Sequence, residues 1–287
     1  MQQMLPLGRQ SRQKVYPGVS LPAESLSPGI EQPTLRQHTL LSQWIGLPLV
    51  LLLLMIGWQM LVMMRGYQPF ILPGPAVVVE RFIITAQSGL LWEHVTITVH
   101  AALGGFLLAL VVGMLLGYLL AHLRWMERAL APVLAASQAI PILAVAPLLI
   151  LWFGTGFSAR ALIAGTITFF PILISTIVAL RGIPHELREM ALISGATRWQ
   201  MLRHIEVPLA LPVVFGGIRT GLSLATTGAV VGEFVAGRAG LGALINIARG
   251  LFDTPLIFVA LVMLASMTLT FYLLAYLLER LLVRWEW

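Results

Sequence analysis

Ionisable side chains within long apolar runs are the first place to look for chemistry, because placing one at membrane depth is costly and usually serves a pathway, a relay or a pair. Three such residues stand out: His100, Arg219 and Glu233. Glu233, in Val231-Gly232-Glu233-Phe234, is either a translocation-pathway carboxylate or one half of a structural pair with Arg238 or Arg249. Arg219 is either a pathway cation or an anchor whose aliphatic stem lets its head reach the membrane surface. His100 is either a pathway group or a ring that satisfies a local hydrogen bond. Catalytic constellations are missing. The chain has no cysteine, which removes thiolate chemistry, disulfides and Cys-based zinc sites. It contains neither Gly-x-Ser-x-Gly nor His-Glu-x-x-His, and its one lysine, Lys14, follows Gln13, so no phosphate-binding Gly-Lys loop exists. No metal or cofactor is expected, and any ATP-driven work requires a motor on another polypeptide.

A second region carries polar chemistry of another kind. Residues 181–208 run Arg-Gly-Ile-Pro-His-Glu-Leu-Arg-Glu-Met-Ala-Leu-Ile-Ser-Gly and then Ala-Thr-Arg-Trp-Gln-Met-Leu-Arg-His-Ile-Glu-Val-Pro. Pro184 suits a first helical turn, and Leu187, Met190, Ala191 and Ser194 share a face at three-to-four spacing. Gly195 stands where a left-handed C-terminal cap is wanted. Thr197 and Gln200 fit a capping box that starts a second short helix, with Trp199, Leu202 and Ile205 on one face and Pro208 limiting its continuation. Two short helices about a glycine turn suit docking into a groove of another protein, or else lying on a membrane surface.

These groups must be positioned by membrane-spanning helices. The 287-residue chain is 58% hydrophobic and 10% charged, with a mean hydropathy of +0.89, which excludes an ordinary soluble enzyme. Apolar blocks fall at 41–64, 95–121, 129–153, 161–180, 213–235 and 256–279, each near the length needed to span the bilayer. An all-α membrane protein of six transmembrane helices is therefore expected. Gly113 and Gly117 form a small-xxx-small pattern suited to close helix packing. Pro141 and Pro147 in the third block and Pro171 in the fourth predict kinks or broken turns. Residues 1–40, with six Gln, five Pro and four Ser, read as a disordered tail; residues 41–287 make the transmembrane domain. With six spans, twelve of the eighteen Lys and Arg fall on the side of the termini and five on the other. Both termini are then cytoplasmic in a multi-pass plasma membrane protein. The net charge of +6 belongs to those basic loops and not to nucleic-acid binding.

Glu189-Met190-Ala191, three residues, Gly195, nine residues, then Ile205-Glu206-Val207-Pro208 resembles the EAA loop of the membrane subunits of bacterial ABC importers, the binding-protein-dependent type I permeases. The resemblance covers about residues 40–285. Met190 departs from the motif's first alanine and Val207 from the usual leucine before Pro208. The resemblance implies the type I permease fold and a coupling loop at 182–212 that fits a cleft on cytoplasmic ATP-binding subunits. It places Glu189, Ala191 and Gly195 at the coupling turn and Ile205 and Pro208 at the return to the membrane. It also implies an extracytoplasmic solute-binding protein as partner. A homodimer is the simpler expectation, because the chain carries one coupling loop and two ATPases need two.

Gln138-Ala139-Ile140-Pro141-Ile142-Leu143-Ala144-Val145-Ala146-Pro147-Leu148, Leu151-Trp152-Phe153-Gly154 and Phe252-Asp253-Thr254-Pro255 are similar to the branch holding taurine, sulfonate and nitrate permeases and those for thiamine-precursor pyrimidines and riboflavin. Within it the resemblance points to the heterocyclic vitamin group. The competing class is an ion-gradient-driven secondary transporter, which calls for paired broken helices in internal repeats and midplane carboxylates. No repeat is evident, and the acidic residues lie at helix ends or in loops.

Overall fold

Lipid offers no hydrogen-bond partner to a peptide group, so an apolar segment crosses it as a helix or in a closed barrel. The computed structural model of the chain describes residues 40–283; the expected tail lies outside them except for its last residue. In chain order the helices are α1 (Leu40–Arg65), α2 (Pro75–Gln87), α3 (Leu90–His122), α4 (Arg124–Ala139), α5 (Ile142–Phe153), α6 (Phe157–Arg181), α7 (His185–Ile193) and α8 (Arg198–Met201). A π-helical turn (Leu202–Glu206) then leads into α9 (Val207–Ala236), followed by α10 (Leu241–Gly250) and α11 (Thr254–Leu282). No strand occurs among the described residues. Five helical stretches are long and apolar enough to cross a membrane, and the pair α4 and α5 makes a sixth span if counted together.

The kink or broken turn expected at Pro141 is a full break in the apolar block at 129–153: α4 and α5 meet at 94°. Proline has no N–H to donate and restricts the residue before it. Ile140 accordingly turns extended (φ −79°, ψ 118°) ahead of Pro141. Pro147 and Pro171, in contrast, lie within α5 and α6, which continue past them.

The centre of the fold is α3, α6 and α9, packed through glycine. A Cβ added to Gly105 on α3 would fall 2.6 Å from Ala164 Cβ and 2.7 Å from the Gly165 nitrogen on α6. One added to Gly228 on α9 would fall 2.5 Å from Ala164 Cα. Approach this close is available only where one helix has no side chain. The Gly113 and Gly117 pattern is part of the same contact, facing Ile172 and Thr176 on α6. Phe106, Ile172, Leu222, Met267 and Phe271 fill the remaining interior and bring α11 onto the trio. A second apolar cluster, with Leu91, Leu241, Leu244 and Val259 at its centre, packs α10 against α2, α3 and α11, and Trp58 stacks on Phe258 at its edge. A third, of Ala179, Leu180, Ile183, Ala210 and Val214, closes the other end of the trio beneath α7 and α8.

Candidate functional site

The segment between α6 and α9 is built by its own local signals. Helix α7 ends at Ile193, and Gly195 just past its cap takes φ +77°. The Ala196 N–H donates to Ala191 O at 2.9 Å and the Gly195 N–H to Leu192 O at 3.0 Å, the paired bonds of a Schellman cap. Thr197 and Gln200 then form the expected capping box: the Thr197 N–H donates to Gln200 Oε1 at 2.8 Å, and the Gln200 N–H to Thr197 Oγ1 at 3.3 Å. Glu189 lies on the exposed side of α7 beside His185 at 3.1 Å. Glu189, Ala191 and Gly195 are thus gathered into one protrusion. Met190, Leu192, Ile193 and Trp199 are exposed on it, Ile193 at 87%. Apolar side chains this open, flanked by Glu and Arg, make an exposed apolar patch.

Pro208 does not end the second helix, as its position had suggested. The chain runs from Arg198 to Ala236 as one helical stretch of 39 residues. Pro208 can donate no bond to an earlier carbonyl, and the wide turn over Leu202–Glu206 accommodates that loss. Ile205, within the turn, packs against the cluster of Ala179, Leu180 and Ile183. Pro208 is the second residue of α9.

Beneath the protrusion is a charged cluster that sequence reasoning did not single out. Glu206 is only 3% exposed. Its Oε1 lies 3.0 Å from His122 Nε2 at the end of α3 and 3.4 Å from Arg188 Nη2 on α7. Arg188 Nη2 also donates to Leu180 O on α6 at 2.7 Å. Beside it, Arg181 forks onto both carboxylate oxygens of Glu127 at 2.6 Å and donates to Leu120 O at 3.0 Å, tying the ends of α3 and α6 to α4. The signal in the sequence was one carboxylate before Val207-Pro208. It lies four residues before the buried Ala210 and eight before the buried Val214, on the inward face of α9.

The three membrane-depth candidates lie apart. Arg219 Nε stands 3.3 Å from Glu279 on α11, and its guanidinium sits 5.9 Å from the centre of the Tyr272 ring. His100 Nδ1 lies 2.6 Å from Thr96 O on its own helix. Glu233 is fully buried at the opposite end of the trio. Its partner there is the Gly242 N–H, which donates to Oε2 at 2.8 Å, where the sequence had suggested Arg238 or Arg249. The Leu241 N–H donates to Thr98 Oγ1 at 2.8 Å, and the Gly240 N–H faces His94 Nδ1 at 3.1 Å. The N-terminus of α10 is therefore held by side chains of α3 and α9, the polarity a helix start prefers. His94 and Thr98 carried no spacing signal that would have revealed this.

Residues 109–286 match the family described as binding-protein-dependent transport system inner membrane component. The chain belongs to that family. The permease is 66% identical over 242 residues to the riboflavin transport system permease protein RibX of Chloroflexus aurantiacus, an alignment covering 84% of this chain and 90% of that one. It is 34% identical over 238 residues to the formylaminopyrimidine transport permease protein ThiX of Halalkalibacterium halodurans, covering 83% and 94%. It is 35% identical over 229 residues to the putative aliphatic sulfonates transport permease protein SsuC of Escherichia coli, covering 80% and 87%. The permease is thus a membrane subunit of an ABC importer with the type I fold, multi-pass in the inner membrane, and the loop between α6 and α9 lies wholly within the matched span.

Proposed function

We propose that this permease subunit carries riboflavin, delivered by an extracytoplasmic binding protein and driven by a separate ATPase subunit docked on the protrusion of α7 and α8. The single observation that carries the solute is the 66% identity to the riboflavin permease along 84% of the chain. Thiamine-precursor pyrimidines come next, and sulfonates, taurine and nitrate after them, in keeping with the lower identity to ThiX and SsuC. In this reading Glu189, Ala191 and Gly195 form the docking turn, and the exposed Met190, Ile193 and Trp199 are its apolar contacts. Ile205 and Pro208 set the angle of return into α9. Two copies of the chain form the pore, each presenting one protrusion. Both termini face the cytoplasm, in line with the count of twelve basic residues against five.

Arg219 and His100 act in packing under this proposal. A cation beside a carboxylate and an aromatic face, and an imidazole bonded to its own helix, already have partners. The test is co-purification of the tagged permease with its ATPase, followed by reconstitution with the binding protein and uptake of labelled riboflavin against competing formylaminopyrimidine and alkanesulfonate. Uptake that needs ATP and is blocked by riboflavin supports the proposal. Uptake blocked only by another competitor reassigns the solute, and uptake driven by an ion gradient without an ATPase refutes the mechanism.

A further inference from the structure

Docking alone moves no solute: displacement of the loop has to reach the transmembrane helices. The protrusion is joined to α9 by a π turn, an irregularity of the kind frequent at functional sites. The cluster under the loop ties that turn to its neighbours. From the last residue of the turn, Glu206 reaches His122 at the end of α3, and Arg188 on α7, which also holds the carbonyl of Leu180 near the end of α6. Both nitrogens of His122 are engaged, Nδ1 at 2.9 Å from Tyr118 O and Nε2 at 3.0 Å from Glu206 Oε1, which fixes the ring against α3. A carboxylate 3% exposed is retained at such a place only when it is paired, and its pairs here cross three elements.

We propose that Glu206 is a positioning residue that carries the coupling movement of α7 and α8 directly into α3 and α6 through His122 and Arg188. The proposal rests on the importer reading above. Because α3 is one continuous helix packed against α6 backbone to backbone at Gly105, a displacement delivered at His122 is transmitted along α3 to its far end at Leu90. The transmission is a chain of direct contacts, the kind of physical network through which sites separated by a helix length can be coupled.

The chain has no cysteine, so Leu90→Cys, exposed at the far end of α3, gives a single attachment point for an environment-sensitive fluorophore. The full complex with its ATPase is placed in lipid nanodiscs and read without nucleotide and after trapping with ATP and vanadate. In an otherwise unaltered complex the emission changes on trapping. Glu206→Gln still binds the ATPase, hydrolyses ATP and traps nucleotide, while the emission change falls by about tenfold, within the usual range of coupling between sites. Glu206→Asp recovers part of it. His122→Gln, which leaves the carboxylate and Arg188 in place, lowers it in the same way and serves if Glu206→Gln fails to assemble. A purely structural role would lower hydrolysis and emission change together. An emission change of full size in a trapped Glu206→Gln complex overturns the proposal, as does an unaltered complex whose α3 does not respond to nucleotide. An unaltered permease that binds no ATPase overturns the importer reading itself.

Discussion

Replacing Gly105 by alanine adds one methyl group to α3 at its closest approach to α6. That carbon would sit 2.6 Å from Ala164 Cβ and 2.7 Å from the Gly165 nitrogen. Favourable carbon contacts begin near about 3.5 Å, so the overlap is roughly 1 Å with each. One of the two atoms is backbone, which no rotamer change can move aside. The helices must separate by about that distance, loosening the contacts at Gly113 and Gly117 below. Overpacking typically costs about 1–3 kcal/mol, and a backbone obstacle places Gly105→Ala at the upper end. For a chain this size each kcal/mol lowers the thermal midpoint by about 2–4 °C. Gly57→Ala on α1 is the internal control: nothing lies within 4 Å of its added Cβ, and alanine is the better helix former by about 0.5–1 kcal/mol. Melting of the detergent-purified variants, followed by the fraction remaining monodisperse, should place Gly105→Ala clearly below the parent and Gly57→Ala at or above it. Equal midpoints for the two variants would refute the claim that α3 and α6 meet through their backbones.

Other expectations follow from the two ends of the trio. Glu233→Ala strips one cap from α10 and leaves the Gly242 N–H buried without an acceptor, a loss of about 1–3 kcal/mol; amide exchange at Gly242 should rise by about 5- to 150-fold, and unchanged exchange would count against the cap. Gly195→Val forces a branched side chain into a left-handed turn at a cost of roughly 1–2 kcal/mol or more, so ATPase capture by the tagged permease should fall while membrane insertion persists, as judged by pull-down and membrane fractionation. For sidedness, a membrane-impermeant maleimide added to intact cells should label Ser88→Cys before α3 and leave Ile193→Cys on the protrusion unlabelled; the reverse pattern would invert the topology.

The spans were legible because hydrocarbon imposes one length and one secondary structure on an apolar run. The turn at Gly195 and the box at Thr197 and Gln200 were legible because both are encoded within four residues of chain. What escaped was non-local. Nothing within a few positions of Ile140 and Pro141 distinguishes a kink from a 94° break, whereas Pro171 is absorbed in α6. Glu206 was hidden because its partners lie 84 and 18 positions away, at His122 and Arg188. Glu233 was correctly marked as unusual, but its partner is a backbone amide, which no sequence pattern announces.

The break at Pro141 also sets the thickness of the barrier. A straight helix over the combined length of α4 and α5 would extend about 40 Å, whereas α5 alone, with twelve residues, extends about 18 Å against a hydrocarbon layer of about 30 Å. Alone, α5 covers little more than half of that depth. In the proposed dimer the remaining depth belongs to the second copy, to lipid or to solute, so a small tilt of one short helix changes how much insulation separates the two compartments.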